Sequence, residues 1–316
     1  MATNTKSRPP RKGPVQHPKQ QPMGARGRWW PLAVLGAGLI AVAVIAAPAV
    51  FDGSGGTGGK ASAGLPNTPD YHSLFVNPAN PQRLVLGTHA GLYASGDGGR
   101  HWRFDALAGN DAMNLSHPIG RTIWLAGHNV FKKSLDGGTT WSDVNPSGLP
   151  SLDIHGFTVD PGNPEVLYAA VAGRGLYRSA DGGGSFSLVS SDVGGGVMAL
   201  AVMPDGRILA GDMQQGLLAS GNDGGRWTKT LDAQVLGLAV NASDPKRILA
   251  TGAGIALSTD GGHTWRSVLE LPNGAGPVAW APSDPKIAYA VGFDRTLWRS
   301  DDAGTTWVEV ARAAEG

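Results

Sequence analysis

The chain has no cysteine among its 316 residues, which excludes disulfide staples, thiolate metal ligands and a cysteine nucleophile. Aromatic residues make up only 7 % and charged residues 16 % of the sequence, whereas glycine occurs 48 times. Up to Arg28 there is no acidic residue at all; seven basic residues stand there among prolines and glutamines. Such a segment cannot bury a core and is expected to be disordered. The remainder carries nineteen basic against twenty-five acidic residues, a net of −6. That mild acidity argues against nucleic acid as a partner, because phosphate binding needs clustered positive charge.

Charge is absent again from Trp29 to Val50, WWPLAVLGAGLIAVAVIAAPAV. As a helix this run reaches roughly 33 Å, enough to cross a bilayer. The basic flank before it and Asp52 after it place the N-terminus in the cytoplasm, with Trp29 and Trp30 at the interface. Ala47-Pro48-Ala49 also fits a signal-peptidase site, but the apolar run exceeds a signal h-region, so an uncleaved anchor is expected. Either way the rest is exported. The expected division is a basic tail over 1–28, a transmembrane helix over 29–51, a Gly/Ser linker over 52–65 and a folded, monomeric domain over 66–316.

A box of the form Ser-x-Asp-x-Gly-x-x-aromatic occurs six times: SGDGGRHW (95–102), SLDGGTTW (134–141), SADGGGSF (179–186), SGNDGGRW (220–227), STDGGHTW (258–265) and SDDAGTTW (300–307). The fourth copy has Asn222 at the Asp position. Copies recur about every 38 to 45 residues, the length of one four-stranded propeller blade. In each box the carboxylate accepts backbone N–H groups of a turn that glycine closes with positive φ. Between boxes, as in HGFTVDPGNPEVLYAAVAGRGLYRSADGG (155–183), the pattern reads strand, loop, strand, turn, strand. The expected fold is all-β, a six-bladed β-propeller of four-stranded blades. No terminus is expected to complete the other's blade, so ring closure falls to side-chain packing between blades one and six.

These boxes resemble the Asp-box, or BNR-repeat, propellers, which include sialidases, sortilin-type receptors and the photosystem II assembly factor. More narrowly, THAGLY (88–93), DAMNL (111–115), AGH (126–128) and DIHGFTVDP (153–161) are similar to a bacterial propeller family labelled glycosylhydrolase. That resemblance implies a hydrolase acting on glycans but carries no mechanism residue by residue. The sialidase pattern departs where it matters: no Arg-Ile-Pro occurs, and Arg83, Arg207 and Arg247 recur at the start of second strands, a blade-edge position.

A second recurrence is confined to the first three blades. Asp70-Tyr71-His72, Asp111-Ala112-Met113 and Asp153-Ile154-His155 open the innermost strands, and blade four has Met198 in register. The ends of the second strands align His89, His128, Val171 and Asp212, the last followed by Met213. Antiparallel pairing brings both sets to one face, beside the central channel. Three readings are open: a structural polar network, a transition-metal site, or an acid/base carboxylate pair. The candidate catalytic residues are Asp70, Asp111 and Asp153; the candidate metal ligands are His72, His89, Met113, His128 and His155, with methionine leaning toward copper. The expected partner is a glycan or an envelope protein.

Overall fold

The computed structural model describes Met1, Phe51, residues 60–68 and residues 70–313. The expected tail and apolar anchor therefore lie outside the described residues, apart from these two single positions. Among the described residues no helix is long and apolar enough to cross a membrane.

Each box builds the same turn. Its serine is buried, and the Ser Oγ both donates to the Asp or Asn carbonyl-type oxygen and accepts the N–H of the glycine four residues on; in the second box both distances are 2.8 Å. The box carboxylate also accepts backbone N–H groups, as Asp97 does from Arg100 and His101 at 3.0 Å. In five boxes the tryptophan Nε1–H donates to that glycine's carbonyl, from 2.8 Å at Trp102 to 3.2 Å at Trp307. These contacts explain why the sequence repeats Ser, Asp, Gly and Trp together. Two boxes lack the first glycine, and there Asp223 and Ala303 take φ of 56° and 60°.

The boxes turn the chain from the third into the fourth strand of each blade. Blade one runs Ser73–Val76, Leu84–Thr88, Gly91–Ser95 and His101–Ala106, all antiparallel. Six such sheets form, five of them four-stranded, and their first strands adjoin around the ring. The apolar faces pack between neighbouring blades into inter-blade cores, for example Trp124, Phe131, Ile154 and Phe157 between blades two and three. Arg207 and Arg247 tie blades together as their edge position implied: each donates to a carbonyl in the next blade's box, Gly261 at 3.0 Å and Ala303 at 2.9 Å.

The ring closes as expected, without a strand shared between its ends. Leu74, Leu84 and Trp102 of blade one pack against Tyr289, Val291 and Leu297 of blade six, and the Tyr289 hydroxyl donates to the Pro81 carbonyl at 3.0 Å. The linker boundary is different from that expected. Ser62–Ala63 pair antiparallel with Trp102 and His101 as a fifth, outermost strand of blade one, and Leu65 is buried at the seam. Phe51, expected to end the apolar helix, instead packs its ring against Phe75 and Trp141 and donates its N–H to the Gly137 carbonyl at 2.6 Å.

Candidate functional site at the channel mouth

An extended strand points residues i and i+2 to one side. The Asp-x-His pattern therefore delivers a carboxylate and an imidazole together at the start of an innermost strand: His72 Nε2 lies 3.3 Å from Asp70 Oδ1, and His155 Nε2 lies 3.2 Å from Asp153 Oδ1. Beside each strand start stands the turn between the second and third strands of a blade. His89 opens that turn in blade one, after Thr88 pairs with Gly91; His128 opens it in blade two, after Gly127 pairs with Val130. Asn129 follows His128 in the left-handed region, at φ 57°, which asparagine tolerates.

Seven side chains converge there from three blades. His89 Nδ1 contacts Asp70 Oδ1, while its Nε2 lies 3.2 Å from Asp111 Oδ2. His128 Nδ1 lies 2.5 Å from the same Asp111 oxygen, and its Nε2 lies 3.0 Å from His155 Nε2 and 3.5 Å from Asp153 Oδ1. His72 Nε2 lies 3.2 Å from His89 Nδ1 and 3.7 Å from Asp111 Oδ1. The His89 and His128 rings stack at 5.8 Å.

Burial differs along the row. Asp111 is 7 % exposed, yet neither carboxylate oxygen has a hydrogen-bond partner of acceptable geometry. A buried carboxylate faced by imidazoles without a hydrogen bond of good geometry costs free energy, and a cation would suit it. Burial holds the His72 imidazole below its usual pKa, against the raising influence of Asp70 and Asp111. The His89 and His128 side chains are 38 % and 41 % exposed, so the row opens to solvent.

All three candidate aspartates and all four candidate histidines thus gather as expected. Met113 is buried at the equivalent position of blade two. The remaining candidates form a nitrogen and oxygen donor set. The register also corrects the alignment of blade four. Asp212 pairs with Gly216 as the last strand residue, so Met213 is the counterpart of His89. Asp212 Oδ1 accepts the N–H groups of Gln214 and Gln215 at 2.7 and 2.8 Å, a turn-capping role. In blade six the same turn opens with Phe293, 45 % exposed, a rim position that sequence alignment on the boxes missed.

Residues 74–315 match the family described as Photosynthesis system II assembly factor YCF48. The chain belongs to that family. That family is the assembly-factor branch named above among the Asp-box propellers. The photosystem II assembly lipoprotein Ycf48 of Synechococcus sp. (strain CC9902) is 24 % identical over 253 residues, covering 74 % of this chain and 72 % of the relative. A xyloglucanase of Hypocrea jecorina (strain QM6a) is 28 % identical over 246 residues, covering 69 % of this chain. This chain spans only 27 % of that enzyme's length. Among solved structures, the GH74 xyloglucanase of Xanthomonas campestris superposes with a TM-score of 0.57 at 17 % identity, over 80 % of this chain and 47 % of the enzyme. A YCF48 bound to a D1 peptide superposes with a TM-score of 0.51 at 20 % identity, over 79 % of this chain and 84 % of that one. At these identities the superpositions speak for the propeller fold.

Proposed function

We propose that this protein is a non-catalytic binding propeller that holds a divalent transition metal at its channel mouth and is displayed at the cell envelope by its N-terminal apolar segment. One observation carries the reading: Asp70 and Asp153 each have two imidazole nitrogens within 3.7 Å, and Asp111 has three. A glycosidase needs a carboxyl within hydrogen-bond reach of the glycosidic oxygen and a second with room for water or the anomeric carbon. Carboxylates bracketed by imidazoles suit metal ligation instead, with His72, His89, His128 and His155 as the nitrogen donors. Kinship with the assembly-factor family supports a protein as the envelope partner.

Purified full-length protein should take up zinc or copper(II) and leave xyloglucan and chromogenic glycosides intact. Hydrolysis of any of them that Asp70→Asn or Asp153→Asn abolishes would overturn the reading in favour of a glycan-acting enzyme, the alternative that the xyloglucanase similarity supports. The protein should also stay with membranes through a high-salt wash; a soluble form beginning near Val50 would replace the anchor by a cleaved leader.

A further inference from the structure

The seven side chains at the mouth form three triangles that share corners. Asp70, His72 and His89 make the first; His89, Asp111 and His128 the second; His128, Asp153 and His155 the third. The shared corners are imidazoles, and each turns one nitrogen to the carboxylate of one triangle and the other nitrogen to the carboxylate of the next, while His72 Nε2 lies 3.2 Å from His89 Nδ1 and 3.3 Å from its Nε2. His89 turns Nδ1 to Asp70 and Nε2 to Asp111; His128 turns Nδ1 to Asp111 and Nε2 to Asp153 and His155.

Most of the spacing within the outer triangles matches ligation, while His89 Nδ1 sits closer to Asp70 Oδ1, and in the middle triangle His128 Nδ1 lies 2.5 Å from Asp111 Oδ2. An ion with four ligands at 2.0–2.1 Å in tetrahedral arrangement sets neighbouring donor atoms about 3.3–3.4 Å apart. The outer triangles show N···N distances of 3.2 and 3.0 Å, and N···O distances of 3.3, 3.2 and 3.5 Å. Hydrogen bonds alone satisfy such a triangle poorly, because a proton on one nitrogen can be directed at only one neighbour. In the middle triangle the buried Asp111 carboxylate, without a hydrogen-bond partner on either oxygen, points independently to a cation.

An arrangement with one ion would have each ligating imidazole donate its other N–H to an outer carboxylate. Here the outer nitrogens of His89 and His128 each face a second imidazole as well as a carboxylate, which makes those positions ligand sets of their own. We propose that His89 and His128 are bridging ligands and that the mouth holds a row of adjoining divalent transition-metal ions. This rests on the metal-holding reading above. A donor set of imidazole nitrogen and carboxylate oxygen suits zinc or copper(II). Each bridge forms when a second ion takes the imidazole nitrogen that carried the remaining ring proton. The proton leaves to solvent, and no electron changes hands.

Copper(II) titrated into the full chain tests the row, with bound copper counted by metal analysis after removal of excess and compared with the copper visible by electron paramagnetic resonance. More than one copper per chain is expected, with a resonance signal well below the bound total, because imidazolate-bridged copper(II) ions couple their spins. His155→Ala should cost one copper while leaving coupling. His89→Ala with His128→Ala should abolish coupling without altering the circular dichroism spectrum, since both side chains are more than a third exposed. The copper retained when His72, His89, His128 and His155 are all replaced by Ala is background from outside the mouth. No copper beyond that background would overturn the metal-holding reading itself. A single, fully visible copper would overturn the row and leave that reading standing, and several copper ions that are all visible would overturn the bridges.

Discussion

The aspartates of the box turns and Asp111 at the channel mouth are the same residue in opposite circumstances. The box carboxylates sit on the surface at the far ends of the strands, yet they accept backbone N–H and hydroxyl donors: Asp136 takes Thr140 N–H at 2.8 Å, Thr140 hydroxyl at 2.6 Å and Ser134 hydroxyl at 2.8 Å. Asp111 at the mouth is buried and has no such donor on either oxygen. Exposed carboxylates that are fully satisfied shape a turn, whereas a buried one left unsatisfied is aimed at something. Satisfaction therefore separates Asp111 from the box aspartates, whereas Asp70 and Asp153 of the mouth each keep an imidazole within hydrogen-bond reach.

The contrast breaks most visibly at the box serine. Ser134→Ala removes a buried hydroxyl and leaves the Gly138 N–H without its acceptor, so the variant should lose about 1–3 kcal/mol by denaturant unfolding. Asp136→Ala should follow with about 1–2 kcal/mol, comparable to loss of a helix cap. Asp153→Asn at the mouth should change metal-free stability by less than about 0.5 kcal/mol. If it costs as much as the box variants, the mouth aspartates are scaffold after all. Asp111→Asn sharpens the same point: the metal-free protein should melt no lower than the parent, because no hydrogen bond of good geometry to either carboxylate oxygen is lost, while the metal-induced rise in Tm should shrink.

Acid gives a third way to divide the two regions. Hydrogen bonds from Thr140 hold Asp136 down to about 2, those of Thr306 hold Asp302 at about 2, and Asp181 and Asp260 are lowered further by Ser185 and Thr264. Folded pKa values below the unfolded ones mean stability that is present above about pH 4 and is lost as pH falls toward 2. Circular dichroism followed through that window should show the loss, and an Asp136→Asn, Asp302→Asn double variant should flatten it. The smallest effect belongs to Ala303, whose φ of 60° glycine adopts without strain. Ala303→Gly should stabilise by about 0.5–1 kcal/mol, read as a Tm rise of about 1–4 °C.

The six-fold box made the fold legible because its turn is local: serine, aspartate, glycine and tryptophan contact one another within eight residues, so their spacing survives in sequence. The mouth was legible for a different reason. Asp-x-His repeats at one strand position in two blades, and antiparallel geometry carries that repetition to one face. What escaped was set by less local forces. Turn lengths differ between blades, with two residues after Thr88 and three after Asp212, so alignment on the boxes slipped by one and hid Met213 and Phe293. Ser62 and Ala63 read as tether because their composition is that of a linker, while their strand conformation comes from the edge of blade one. Met113 shares the sequence position of His72 and His155 and is buried.

The seam between blades one and six has a consequence for how the ring can be cut. Among the described residues no strand crosses it, and segments from both sides meet there: the N–H of Ala313 donates to the Arg295 carbonyl at 2.9 Å, and the Arg295 guanidinium reaches Asn67 at 2.5 Å. Gly64, with φ of 73°, leaves no space for a side chain against the Arg312 carbonyl. A ring joined blade to blade by the same kind of packing at every boundary has no privileged opening. Linking the two ends and cutting between any other pair of blades should give a circular permutant that still closes, and one opened between blades three and four would keep the whole histidine row in one unbroken stretch of chain.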